Sequence, residues 1–501
     1  MGMSDNVIFG RLLLEGWTEE RIRHAFIEPP TPAESTLTDA EAADLRKKQP
    51  RRFSLATIAI GIVALCGFGV STYLYLKPPV VYSISIPVAH ATSTLAELTY
   101  GALPALSDPS YYLSVKEKLI AQKASFLDAN LSDMQLIVYV EGELKLQVPI
   151  VAKGKVGSWW ETPAGIYKIE TKEKTHFSSF GQVAMPYSLD FQGNFFIHGW
   201  PTYADGTPVS SSYSGGCIRL STEDAAKVYE LSTVGMPVIV YNEERPAEEF
   251  NYTLKAPPTV SATEYLIADL DTGAVLTQRN AAVQAPIASI TKLVTALVAT
   301  EYINLDKEVA VPAEAILYTS VPRLRPGENV RAYDLLFLLL QESSNEAAEA
   351  LAAERGREQF VEYMNKKAEA IGLSRTVFND PSGARSDMST PEDLFKLLRY
   401  IYDNRRFVFG ITTGEITDSA YGSPVFANIS NFNIVKNTPA KLLGGKIGQT
   451  NEAGETYAGV FSVKVGDTER KLAVIVLDSR DSQTDVAKLL NFVHASYAPA
   501  Q

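Results

Sequence analysis

Residues 53–76 form an apolar run of 24 positions without a charged side chain. At 1.5 Å per helical residue the run reaches about 36 Å, enough to cross a hydrocarbon core of about 30 Å. Arg46, Lys47, Lys48, Arg51 and Arg52 precede it and only Lys77 closes it, so the excess of positive charge places residues 1–52 in the cytoplasm and everything beyond residue 77 outside. The run is too long for a cleaved signal peptide, and the small-residue triplet at Ala89, His90 and Ala91 lies too far beyond it. The pattern predicts an uncleaved, single-pass membrane anchor.

Before the span, residues 10–28 (GRLLLEGWTEERIRHAFIE) have the spacing of one or two short amphipathic helices, with Thr18 placed to cap the second and Pro29, Pro30 and Pro32 ending it. This segment either docks a cytoplasmic protein partner or is a tail without one. After the span, residues 77–133 are expected to be a tether with a helical stretch near 115–128. From residue 134 the period changes to two: Leu136, Val138 and Val140, then Leu144, Leu146 and Val148 alternate with other residues, and Glu141, Gly142 and Glu143 form a hairpin turn between them. Short strands punctuated by Gly and Pro continue to residue 242, so residues 134–242 are expected to be an all-β unit. Residues 243–263 are charged and proline-marked without a sustained period, as in a linker. A third module is expected over 264–501, with no trailing β domain. It opens on the hairpin YLIADLDTGAVLTQRN, turning at Asp271, Thr272 and Gly273, and runs into the helical APIASITKLVTALVATEYI.

A length of 501 residues, 46% hydrophobic and 10% aromatic, fits several packed modules. The net charge of −12 argues against a nucleic-acid partner, which needs a basic face. No metal-ligand cluster and no phosphate-binding glycine loop stands out, so no cofactor is implied.

There are two cysteines, and Cys66 lies inside the apolar run, so no intrachain disulfide is expected. Cys217 sits in SGGCIRL, with His198 nineteen positions upstream in FFIHGW. A thiol with an imidazole in reach is nucleophile chemistry, and Gly215 and Gly216 let backbone approach an acyl oxygen closely. The amides of Gly216 and Cys217 are the oxyanion-hole candidates. Arg219 either grips a carboxylate or pairs within the fold, and Ser214 is either a turn residue or part of the site.

The order WETPAGIYKI, IHGW, SGGCIRL resembles the catalytic domain of the bacterial L,D-transpeptidases of cell-wall synthesis over residues 134–242. The resemblance implies that Cys217 attacks the carbonyl between the third and fourth residues of a peptidoglycan stem peptide. D-Alanine would leave, and an amine from a neighbouring stem would resolve the thioester into a 3,3 crosslink. It also implies that His198 is oriented by a neighbouring carbonyl or hydroxyl near Gly199, and the physical reading adds that the imidazole lowers the cost of forming the thiolate. Many members have a histidine where this chain has Gly215.

In the third module Ser289 and Lys292 stand at i and i+3, on one helix face, which suits a lysine taking a proton from a serine. SxxK alone occurs by chance in many helices, but Ser343, Ser344 and Asn345 follow in LLQESSNEAAEALA, then Lys446, Ile447 and Gly448 in LLGGKIGQTNEAGETYAG. With FNDPSGARSDMSTPEDLFKL between them, the module resembles the penicillin-binding D-alanyl-D-alanine carboxypeptidases over about 260–495, with the α/β fold of β-lactamase-like serine transpeptidases. By that resemblance Ser289 is acylated, Lys292 is its base, Ser343 and Asn345 form the second wall, Lys446 meets the terminal carboxylate, and the amides of Ser289 and Gln449, next to Gly448, form the oxyanion hole. Repulsion between the two lysines would lower the pKa of Lys292. No omega-loop glutamate motif supports a class A β-lactamase, so penicillin should be released slowly.

One departure stands out. Ile447 replaces the family's middle hydroxyl in KTG and cannot donate a hydrogen bond, which removes roughly 1 to 3 kcal/mol of carboxylate recognition unless Thr450 compensates. Peptidoglycan stem peptides are the expected partners, and β-lactams the expected covalent inhibitors. Two other readings stay open: an L,D-carboxypeptidase with a non-catalytic, wall-binding serine module, and a membrane-tethered wall anchor without catalysis.

Overall fold

The computed structural model describes residues 109–496 apart from 180, 212–213, 243–249, 251, 253–255, 314–318 and 419–425. The expected span at 53–76, the helices before it and the tether up to residue 108 lie outside the described residues. Among those described, no helix is long and apolar enough to cross a membrane.

The thiol module begins earlier than residue 134. The helix is Pro109–Ala121, and Phe126–Asn130 is a strand. That strand is central to a five-stranded sheet, antiparallel to Gln135–Val140 and parallel to Pro237–Tyr241. Both its faces are covered, Leu127 and Ala129 by one core and Phe126 by another, so FLDAN has no alternation to announce a strand. Asp128 is tolerated there because Lys116 pairs with it at 2.8 Å and the Tyr112 hydroxyl donates to it at 2.7 Å.

The expected hairpin is present. Glu141 and Gly142 both take positive φ between Gln135–Val140 and Glu143–Pro149. A second sheet runs in the order Thr171–Ser178, Val183–Gln192, Phe195–His198, Ile218–Arg219. The module is not all-β: Thr222–Leu231 is a helix, capped by Ser221, whose side chain accepts from the Asp224 amide, and it buries Ala225, Val228 and Tyr229 on one face.

In the serine module, strands Val275–Arg279, Glu264–Asp269, Thr468–Ser479, Gly454–Val465 and Lys441–Thr450 form one sheet in that order. Helices Lys292–Tyr302, Ala332–Gln341 and Pro391–Asn404 contribute to its main core. The end of the expected linker belongs to this module, since Val260 and Ala262 are buried and the Ser261 amide donates to Asp485 at 3.0 Å.

Both modules fall within one compact unit, Pro79–Gln501. Their boundary is charged and dry. Glu301, at the end of Lys292–Tyr302, pairs with Lys367 at 2.7 Å and Arg405 at 3.4 Å, all three side chains fully buried. Across the boundary, Gln192 Nε2 donates to Glu301 at 2.7 Å, Lys367 donates to the Tyr167 hydroxyl at 3.1 Å, and Arg405 donates to the Glu161 carbonyl at 2.7 Å. Charges buried this way are tolerable only while paired, so each module supplies groups the other needs.

Candidate active sites

The parallel pairing of Phe195–His198 with Ile218–Arg219 sets Ile197 opposite Ile218 and His198 opposite Arg219, which leaves His198 and Cys217 two positions apart in register on neighbouring strands. Both line a cleft of about 520 Å³. Gly216 precedes the thiol at φ 112°, and a Cβ there would come within 2.3 Å of the Phe195 ring and 2.9 Å of the Trp160 carbonyl, so no larger residue fits. Its carbonyl accepts from Thr162 Oγ1 at 2.8 Å. Ser214 donates to the Cys217 carbonyl, which makes it a clamp on the turn as well as a residue of the cleft wall.

His198 Nδ1 lies 2.6 Å from the Gly199 carbonyl. A carbonyl only accepts, so the proton sits on Nδ1 and Nε2 is left as the acceptor. Burial is the main cause that brings the imidazole down to about 4 and drives the Cys217 thiol up to about 11. Both groups therefore rest neutral. The expected easing of thiolate formation by His198 is not seen in the resting cleft, where burial keeps the proton on sulfur. Arg219 is committed within the fold, donating to the Ser211 carbonyl at 2.8 Å with its guanidinium 5.1 Å from the Trp200 ring centre.

The serine cleft, about 1110 Å³, is lined by Ser289, Ser343, Asn345, Gly448, Gln449 and Thr450, which the sequence motifs singled out. Ser289 lies in a 3-10 turn, Ala288–Thr291, that leads into Lys292–Tyr302. Lys292 Nζ stands 2.8 Å from Ser289 Oγ, 2.7 Å from Asn345 Oδ1 and 2.6 Å from the Ser382 carbonyl. The last two groups only accept. A neutral amine that donates to both keeps its lone pair for the proton of Ser289, which is what a base needs.

Burial is the chief cause that brings Lys292 down to about 7, against the pull of Asp380, Asp387 and Glu349. The expected repulsion between lysines falls instead on Lys446, which burial and then Lys292 hold well below the usual range. The Ser382 carbonyl is presented by a loop built on Asp380, whose carboxylate accepts from the amides of Ser382 at 2.6 Å and Gly383 at 2.8 Å. Gly448 sits so close to the nucleophile that a Cβ there would lie 2.6 Å from the Ser289 amide.

Lys446 differs from its expected place. Its side chain is fully buried and donates to the Ile447 carbonyl at 2.9 Å, and it is not among the residues lining the cleft, whereas Ile447 is. The exposed cations on that wall are Arg385 and Lys436. Neither lies in one of the spaced motifs; Arg385, in the DPSGARSD segment, carried the only signal. In the thiol site, Gly199 and Gly216 act through their carbonyls and turn geometry and do not line the cleft. Among the described residues no group of carboxylates, histidines and cysteines could hold a metal ion.

Ser289 in contact with Lys292, and Cys217 in one cleft with His198, define a protein with two acyl-transfer centres. Residues 124–240 match the family model of the L,D-transpeptidase catalytic domain, and residues 251–481 that of D-alanyl-D-alanine carboxypeptidase. The chain is 33% identical over 211 residues to the D-alanyl-D-alanine carboxypeptidase DacB2 of Mycobacterium tuberculosis, covering 40% of this chain and 71% of that protein. It is 35% identical over 197 residues to a D-alanyl-D-alanine endopeptidase of Pseudomonas aeruginosa, covering 38% of this chain and 63% of that one, and so spans less than two thirds of that relative. A crystal structure of a D-alanyl-D-alanine carboxypeptidase from M. tuberculosis H37Rv aligns at 27% identity and TM-score 0.42 over 49% of this chain and 96% of that one. The chain belongs to the D-alanyl-D-alanine carboxypeptidase family and carries an L,D-transpeptidase catalytic domain in front of that module.

Proposed function

We propose that this chain remodels bacterial peptidoglycan with two acyl-enzymes in series. At the serine module, Lys292 takes the proton of Ser289, which attacks the carbonyl of the D-alanyl-D-alanine bond; terminal D-alanine leaves and water releases a tetrapeptide stem. At the thiol module, His198 Nε2 takes the proton of Cys217 as sulfur attacks the carbonyl of the third stem residue. D-Alanine leaves, and an amine from a second stem resolves the thioester into a 3,3 crosslink. One product is the other's donor. The amides of Gly216 and Cys217 in one site, and of Ser289 and Gln449 in the other, are the oxyanion donors, Arg385 and Lys436 take over the carboxylate recognition first expected of Lys446, and β-lactams acylate both nucleophiles. The 53–76 run tethers both modules outside the membrane, with the N-terminus in the cytoplasm.

The observation that carries this reading is the three-way contact of Lys292 with Ser289, Asn345 and Ser382. A wall anchor has no use for a neutral lysine aimed at a serine. The test is incubation of the chain with pentapeptide-stem muropeptide, followed by mass spectrometry. Loss of one alanine, then dimers lacking a second, supports both steps. Intact pentapeptide beside dimerised tetrapeptide would leave the serine module as a binding domain, and cleavage of preformed 4,3 dimers would make it an endopeptidase.

A further inference from the structure

The cleft around Cys217 is walled by both modules. Thr300, Ile303, Asn304 and Arg355 of the serine module line it together with His198 and Cys217. Among the described residues that line it there is no carboxylate, while Arg219 and Arg355 both do, so a cationic cleft sits in a chain of net charge −12. Arg219 is 2% exposed and committed to Ser211 and Trp200. Arg355 is exposed and held by a main-chain carbonyl: Nε donates to Tyr302 O at 2.7 Å, and a terminal nitrogen donates to the same oxygen. Two of five guanidinium donors are used in this way, which fixes the group and leaves three for a ligand.

The geometry also fixes where Arg355 stands relative to the thiol. Cys217 Sγ lies 3.8 Å from the Asn194 carbonyl, and the Asn194 amide donates to the Glu301 carbonyl at 2.9 Å. Gly193 packs so tightly on that carbonyl that a Cβ would come within 2.4 Å of it. The next carbonyl along the helix, that of Tyr302, is the one that holds Arg355. One helix end therefore registers both the loop beside the nucleophile and the guanidinium.

We propose that the thiol site is complete only with the serine module, and that Arg355 binds a free carboxylate of the donor stem peptide acylated at Cys217. This rests on the acyl-transfer reading of the thiol cleft. A planar guanidinium held by one carbonyl is suited to a carboxylate, which accepts two parallel N–H bonds.

The test uses the full chain and a tetrapeptide-stem donor, with crosslinking followed by mass spectrometry. Arg355→Ala should raise KM roughly tenfold with kcat within about twofold, since the lost contact is made equally in ground and transition states; Arg355→Lys should fall between. A donor with every carboxyl amidated should give the same KM with Arg355→Ala as with the unsubstituted chain, a result that a merely structural role for Arg355 would not produce. Penicillin labelling of Ser289 in the same samples reports that the variant is folded. An unchanged KM for the free-carboxyl donor, or an equal loss on both donors, overturns the proposal. Absence of any crosslinking by the unsubstituted chain would instead overturn the reading beneath it.

Discussion

At Ser289 the base is a lysine that burial brings to about 7 and whose two carbonyl partners leave one lone pair for the nucleophile. At Cys217 burial pushes thiol and imidazole apart, to about 11 and about 4, so neither is charged near neutrality. The same force, loss of water, has opposite consequences because of the charge each group carries when active. Desolvation strips the proton from a buried ammonium near neutrality and so frees the amine to accept one, whereas it holds the proton on a buried thiol. The serine centre is thus poised before substrate arrives. The thiol centre must couple proton transfer to attack, with His198 held by the Gly199 carbonyl in the tautomer that leaves Nε2 as the acceptor.

The sharpest way to break this comparison is to delete one nucleophile at a time. Cys217→Ala should abolish crosslinking, at least about a thousandfold, while leaving D-alanine release from pentapeptide unchanged; Ser289→Ala should abolish that release while leaving the crosslinking of a supplied tetrapeptide donor unchanged. Product analysis by mass spectrometry checks both, and loss of both activities in either variant would show that the centres are not separate. Lys292→Met should slow penicillin acylation of Ser289 by roughly a hundred- to ten-thousandfold, read by stopped labelling, with carbapenem labelling of Cys217 unaffected.

The module boundary offers a smaller perturbation. Glu301→Gln leaves Lys367 and Arg405 buried without their carboxylate and should cost about 3 to 5 kcal/mol of stability, measured by chemical denaturation. If the modules unfold as one body, the whole transition should shift; an unchanged thiol-module transition would mean that the boundary is not shared. The smallest effect is expected from Ile447→Thr. A hydroxyl on the cleft wall should raise kcat/KM for D-alanine release by roughly threefold to tenfold, and a fall would show that Ile447 serves this cleft better than the usual hydroxyl.

Much of the chemistry was legible because it lies in short, ordered motifs. Cys217, His198, Ser289, Lys292, Ser343 and Asn345 were singled out from motifs and the family resemblances those motifs carry, and each stands at a cleft or, for Lys292, in contact with a residue that does. The 126–130 strand was not legible, since burial on both faces removes the period of two. The helix at 222–231 was obscured by the strands on either side, although Ser221 with Glu223 and Asp224 was a start signal. Lys446 was misplaced because a motif names a residue and not the direction of its side chain. Nothing local pointed to Glu301, Lys367 or Arg405 as shared between modules, because their partners across the boundary lie more than a hundred positions away, or to Arg355, whose anchor at Tyr302 is 53 positions away.

The most direct measurement is the pH dependence of acylation at both nucleophiles in one preparation, with penicillin for Ser289 and a carbapenem for Cys217, from about pH 5.5 to 9. Lys292 is active only without its proton, so serine acylation should rise with pH through about 7 and then level off. His198 is already neutral above about 4 and the thiol stays protonated below about 11, so cysteine acylation should stay flat over the same range. A rising limb near 7 for Cys217, or a flat profile for Ser289, would contradict the assignment of opposite resting states to the two centres.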